Sequence, residues 1–222
     1  MTGWEQALTI ARHDLLVERR ARETLTIVLP FGLAALISIP AAIGTDLPLI
    51  SRVGPAVYWA FGTLFGMQIA WRYTLADVGP LRDLQLLLGV RATARFWGRT
   101  LASALIITVF MALLGVATLL FYSPVSPLSP LLLLVLLLFS SGLAMVATLA
   151  AELTAGLSGR AELAALVVAP LALPLLVGAA QGTESLTRQG GILPWLLMLT
   201  AANIVLAVAG TMAAKPLEEA AR

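Results

Sequence analysis

Six long apolar runs, near residues 24–43, 54–71, 98–121, 131–151, 163–181 and 193–213, alternate with short polar breaks along the chain. Each has roughly the length that a ~30 Å hydrocarbon core demands of a helix. The runs lack period-two alternation. With no water inside a bilayer, every N–H and C=O must be satisfied locally, so they predict helices and not barrel strands. The segment ahead of them differs in kind. Trp4, Leu8, Ala11 and Leu15 fall at helical spacing over Thr2 to Glu23, with Arg12, Arg19 and Arg22 elsewhere on the wheel. Such a pattern describes an amphipathic helix lying on a membrane surface, or one docked on a partner. The expected fold is all-α: a single polytopic membrane domain over 1–222, with six transmembrane helices plus an N-terminal amphipathic surface helix at 2–23.

Composition agrees. Apolar residues make up 59% of the 222 positions and charged residues 12%, far from the mix a soluble domain uses, so the chain requires a bilayer as its solvent. The first apolar run follows a stretch holding charges of both signs and extends for about 20 residues, too long for the apolar region of a cleavable signal. No internal repeat or second soluble domain is visible, and the tail from Lys215 is too short to fold alone.

Net charge is only +2, which gives a nucleic-acid partner little electrostatic support; the placement of the arginines is what informs. Three connections are short: Gly44 to Val53, Ser123-Pro124-Val125-Ser126-Pro127, and Gly182 to Ile192. They carry only Arg52 and Arg188 of the 14 Lys and Arg residues. Arg12, Arg19, Arg20, Arg22, Arg72, Arg82, Arg91, Arg95, Arg99, Arg160, Lys215 and Arg222 fall on the other side. The positive-inside rule then puts both termini and the second loop in the cytoplasm, and an even number of spans agrees. Within that loop Gly79-Pro80, then Leu81, Leu84, Leu87 and Leu88, then Gly89 read as a short amphipathic helix with a proline start and a glycine stop, parallel to the membrane.

Catalytic groups are scarce. Gly156-Leu157-Ser158-Gly159 has the form of an intramembrane serine-protease turn, but that chemistry needs a histidine base beside the serine, and the only histidine, His13, precedes the first span. No HExxH, intramembrane aspartate pair or phosphate-binding Gly-Lys loop occurs, and there is no cysteine. The expectation is a non-catalytic subunit with no catalytic or metal-ligating residues. Ion-driven transport usually shows buried carboxylates or histidines, which are sparse here; Glu152, at the cytoplasmic end of span four, comes nearest. Gln68, Gln181 and Asn203 read as helix-packing groups or as lining of a substrate route, Gly62 and Gly66 as a close-packing GxxxG pair. Met67, Met111, Met145 and Met198 read as gap fillers rather than ligands of haem iron. Pro170 and Pro174 in span five imply a kink, either a hinge or a static bend.

The whole pattern describes an exporter-type (ABC-2) permease half, and the chain resembles the CcmB family, the haem exporter permease subunits of cytochrome c maturation. Three stretches carry the resemblance: Ser51-Arg52-Val53-Gly54-Pro55-Ala56-Val57-Tyr58-Trp59-Ala60, Gly79-Pro80-Leu81-Arg82-Asp83-Leu84, and Ala169-Pro170-Leu171-Ala172-Leu173-Pro174-Leu175-Leu176. The resemblance implies a homodimer in the bacterial inner membrane, bound to two copies of a CcmA-like ATPase and associated with CcmC-like and CcmD-like subunits. ATP on the partner would drive release of a haem-loaded CcmE-like chaperone, with haem a candidate cargo of the complex and no cofactor-binding residue assigned to this chain. Pro80, Leu81, Leu84, Leu87 and Leu88 would form the ATPase-coupling helix. A general ABC-2-type exporter permease for a lipid, polysaccharide or drug shares the expected fold and stays open beside it, as does a scaffold subunit with no transport path.

Overall fold

The computed structural model describes residues 2–22, 24–75, 89–122, 129–154, 161–188 and 190–220. Seven α-helices and one π-helical turn account for nearly all of them, with no strand among the described residues. The helices are α1 (Gly3–Ala21), α2 (Leu29–Ile43), α3 (Leu47–Leu75), α4 (Ala92–Tyr122), α5 (Pro130–Thr154), α6 (Ala161–Thr187) and α7 (Leu193–Ala220), with the π turn at Thr24–Val28.

Local chemistry explains several boundaries that hydropathy does not. Thr2 and Glu5 form a capping box at the start of α1: the Thr2 amide donates to Glu5 Oε2 at 2.8 Å and the Glu5 amide to Thr2 Oγ1 at 3.3 Å. Arg22 ends the helix in the left-handed region at φ 52°, its amide bonded to the Glu18 carbonyl at 2.6 Å. Asp46 accepts the Leu49 amide at 3.1 Å, so α3 begins at Leu47 and only three residues, Gly44 to Asp46, separate it from α2. The sequence places that connection at Gly44 to Val53. Helix continues past the apolar run because backbone groups outside the hydrocarbon are still best satisfied within a helix, once a cap starts it. At the far end of α6, Thr183 and Thr187 return their hydroxyls to carbonyls four residues back, and the helix extends through the expected loop to Thr187.

Four helical segments have the length and hydropathy to cross a bilayer among the described residues: Thr26–Ile43, Ala92–Tyr122, Pro130–Leu153 and Leu193–Pro216. The expected second and fifth spans coincide with α3 and α6, helices of 29 and 27 residues that are not among these four. Glycines, Pro55, Tyr58, Trp59 and Gln68 dilute the hydropathy of α3, and only part of α6 is described at side-chain level. The chain is a multi-pass helical membrane protein.

Helix α4 is the centre of the packing: α1, α2, α3, α5 and α7 all lie against it. The core is built around Trp59, Phe96, Phe110, Phe139, Ile107, Met111, Leu114 and Leu143, all fully buried. Small residues let the backbones close. A methyl on Gly66 would lie 2.6 Å from Leu143 Cδ2, and one on Gly62 would overlap the thioether end of Met111. The GxxxG pair of α3 thus receives α4 and α5, and Met67, Met111 and Met145 are buried in the core, as gap fillers would be. Polar ties are few and cross between helices. Trp59 Nε1 donates to Thr183 Oγ1 at 2.9 Å, Tyr122 OH to the Leu36 carbonyl at 2.7 Å, and Tyr58 OH to the Met111 carbonyl at 3.0 Å.

Asn203 on α7 donates to the Leu138 carbonyl of α5 at 2.9 Å and accepts from Ser141 Oγ at 2.8 Å. It joins helices, while Gln68 faces outward and Gln181 lines a surface cleft. Replacing Asn203 by Leu should cost about 1 kcal/mol, the scale measured for interhelical hydrogen bonds in bilayers. A thermal melt in detergent should show a lower midpoint for Asn203→Leu; an unchanged midpoint would assign the α5–α7 contact to packing alone.

Candidate functional site

The N-terminal helix docks by its small residues. Ala7 and Ala11 are buried, Ile10, Asp14, Leu15 and Glu18 are half-buried, while Trp4 and Leu8 are about half exposed at 56% and 50%. Arg12 is exposed. The stripe expected to be a single apolar face is therefore divided. Ala11 and, in part, Leu15 go to the bundle; Trp4 and Leu8 stay outside beside Arg12, where an interfacial aromatic and a leucine would meet lipid.

Contact is close because α4 offers Gly98. A methyl there would stand 2.7 Å from the Ala7 carbonyl oxygen, which belongs to backbone and cannot swing aside. Upstream, the Arg91 amide donates to Gln6 Oε1 at 3.3 Å and the Arg91 side chain lies against Gly3. Gly89, the expected stop of the coupling helix, takes φ 70°. The chain re-entering the described structure at 89–91 is thus fastened to α1 immediately before α4 begins. Pro80, Leu81, Leu84, Leu87 and Leu88 lie outside the described residues, as does Gly156-Leu157-Ser158-Gly159.

One and two turns beyond Arg91 lie two buried arginines, Arg95 at 5% and Arg99 at 8% exposure. Arg99 interacts electrostatically with Glu152 at the end of α5 and with Asp14 on α1. Three helices meet through this set of charges. An arginine removed from water is costly by several kcal/mol, and opposite charges from two neighbouring helices offset much of that cost. Burial raises the Asp14 carboxyl above the ordinary carboxylate range, against the opposing effects of a 3.4 Å contact with His13 Nδ1 and the charge of Arg99. Beyond Asp14, Glu18 accepts the Thr24 amide at 2.8 Å, which fixes the elbow where α1 passes into the π turn and then α2.

The sequence marks Glu152 but not its partner, since Arg99 reads there only as one of the basic residues that orient the chain. The interval between them, a whole span and its return, hides the pairing. Of the expected hinge residues, Pro170 is exposed and Pro174 half-buried, and α6 runs through both without interruption.

A glycine-seated N-terminal helix, a charged junction at one end of the bundle and long apolar helices joined by interhelical polar ties make this a multi-pass helical membrane protein. A family model described as CcmB protein matches residues 5–218. The chain belongs to the CcmB family, a membrane permease family whose members are membrane subunits of a haem-exporting ABC system. No curated protein matches it.

Two outcomes follow from the junction. Gly98→Val should lift α1 from α4; because the native chain has no cysteine, a single Ala11→Cys reporter, buried in the parent, should become open to maleimide in the Gly98→Val background. A raised carboxyl pKa means that the folded state holds its proton more tightly than the unfolded one. The contribution of Asp14 to stability is therefore largest in acid and is lost as pH rises through that raised value. Detergent melts of the parent and of Asp14→Asn should agree in acid and diverge toward neutrality, with the variant relatively more stable. The opposite divergence would mean that the attraction of Arg99 outweighs burial.

Proposed function

We propose that this chain is the transmembrane subunit through which a separate cytoplasmic ATPase drives haem handling in cytochrome c maturation. The observation carrying the reading is the family match over residues 5–218. In this reading six helices cross the bacterial inner membrane, α3 and α6 included, with α1 on the cytoplasmic surface and both termini inside. The distribution of arginines supports that orientation. A homodimer would engage two CcmA-like ATPases, with CcmC-like and CcmD-like subunits alongside, and ATP hydrolysis on the ATPase would be linked to release of a haem-loaded CcmE-like chaperone.

The junction gives the coupling a physical route. Leu81, Leu84, Leu87 and Leu88 would dock in a groove of the ATPase, and closure of the ATPase pair would displace the loop that carries them. That loop ends at Gly89, its exit is bonded to α1 through Gln6 and Arg91, and α4 starts at Ala92. Displacement at 89–91 would move α1 and α4 together, and the Arg99–Glu152 attraction would bring α5 with them. No catalytic group is required of this chain; its residues transmit and position.

The test is affinity purification of the full chain from its own membranes in mild detergent, with partners identified by mass spectrometry and haem read by absorbance. Recovery of an ATPase with CcmC-like and CcmE-like partners is expected, together with loss of the ATPase from the Leu84→Glu/Leu87→Glu variant. An ATPase without haem-handling partners would point instead to a general exporter of a lipid, polysaccharide or drug. Recovery of no ATPase would overturn the permease reading.

A further inference from the structure

At the end of the bundle opposite α1, two clefts stand one above the other along α3. The outer one, of about 550 Å³, is lined by Ser51, Arg52 and Pro55 of α3 and by Gln181, Glu184 and Arg188 at the end of α6. The inner one, of about 540 Å³, shares Pro55 and continues past Tyr58 and Trp59 between α4 and α5, against Val116, Leu119, Leu133 and Leu136. Pro48, Ser51, Arg52, Pro55, Tyr58 and Trp59 repeat at three- and four-residue intervals, so they form one stripe on α3. From Arg52 to Trp59 that stripe descends about 10 Å along the helix.

The polarity changes abruptly down this path. At the top are two guanidiniums and one carboxylate, with Arg188 Nη2 bonded to Glu184 Oε1 at 2.6 Å. Arg52 has no ion-pair partner among the described residues. Below Pro55 the walls are mainly apolar and uncharged, with only the hydroxyl side chains of Tyr58, Thr118, Ser129 and Thr183 and the Trp59 indole among them, and Val116 and Leu133 are more than half exposed. Arg52, near the start of α3, and Arg188, just past the end of α6, are the two basic residues that the arginine pattern assigns to this end, and both line the same cleft. From this geometry we infer that the paired clefts bind a phospholipid with an anionic headgroup, its phosphate between Arg52 and Arg188 and an acyl chain in the groove below.

Charge decides the occupant. Two arginines against one glutamate leave a net single positive charge, which complements a monoanionic phosphodiester. A second apolar helix seated in the lower groove would leave Arg52 uncompensated. A soluble anion would use the upper cleft but not the apolar one. The site is separate from the charged junction at the other end and does not depend on the cargo of the complex.

The experiment is native mass spectrometry of the full chain, stripped of lipid and titrated with phosphatidylglycerol or phosphatidylcholine of equal chain length. The parent should retain phosphatidylglycerol at least tenfold better. Arg52→Gln/Arg188→Gln should abolish that preference, while Arg12→Gln/Arg19→Gln, which removes the same charge at the opposite end, should leave it intact. Val116→Trp, which fills the groove without touching the arginines, should weaken retention of both lipids severalfold. Equal retention of the two lipids by the parent, or equal losses in the two arginine pairs, would overturn the proposal. So would full displacement by inorganic phosphate at millimolar concentration with no effect of Val116→Trp, since that would identify a free-anion site. Circular dichroism of each variant separates loss of binding from loss of fold.

Discussion

Close approach of helices at small residues is the constraint on which this molecule depends. Between helices in a bilayer there is no hydrophobic drive, since lipid tails are as apolar as leucine, and association rests on contact quality and a few hydrogen bonds. Helix α4 meets five neighbours, and its contact surfaces repeatedly set a glycine against something large or immovable. Gly98 of α4 sits under the Ala7 carbonyl, Gly32 of α2 lies close to Phe110, and Gly54 of α3 against Tyr122. Where a glycine faces a flexible Met111 terminus, some repacking can absorb an added methyl; where it faces backbone, as at Gly98, nothing nearby can yield. The seat of α1 therefore depends on one residue of its partner, Gly98.

Much of the architecture was legible because the bilayer imposes a length on apolar runs. The order of helices, the glycine pair in α3 and the methionines in the core all follow from pattern alone. Helix ends were not legible in the same way: Asp46 and the threonines of α6 act on backbone groups, and hydropathy is blind to them. The docking face of α1 was misleading for a different reason. Trp4, Leu8, Ala11 and Leu15 share a stripe, but apolar character does not distinguish a surface for lipid from one for protein. Residue size does: Ala7 and Ala11 are small enough to be buried, and Gly98 leaves room for the Ala7 backbone and the Ile10 side chain.

Polar groups show a complementary division. Asn203, Ser141, Trp59 and Thr183 are satisfied pairwise between helices, and many threonines return their hydroxyls to the preceding turn, as Thr118 does to the Leu114 carbonyl at 2.9 Å. A hydroxyl bonded in this way costs little in hydrocarbon and offers little to a cargo. Among the described residues charges are confined to the two ends. At one end Arg95 and Arg99 are buried beside exposed arginines, and Arg99 is shared among three helices; at the other they line an open cleft.

That asymmetry bears on what each end can do. Removing Arg99 or Glu152 would leave an opposite charge uncompensated at a cost of about 3 kcal/mol or more, while changing an exposed arginine costs little. Buried charges of this kind tie elements together because any relative movement of the helices must keep opposite charges close. Movement of α1 and α4 is consequently cheapest as a single body that keeps α5 with it, Arg99 staying between Asp14 and Glu152. The glycine contact at Gly98 enforces the same thing sterically, since Ala7 cannot slide past α4 without meeting a side chain. Two unrelated forces, one electrostatic and one of shape, thus hold the same pair of helices at the point where the chain leaves the loop before α4. An element meant only to rest on the membrane would need neither.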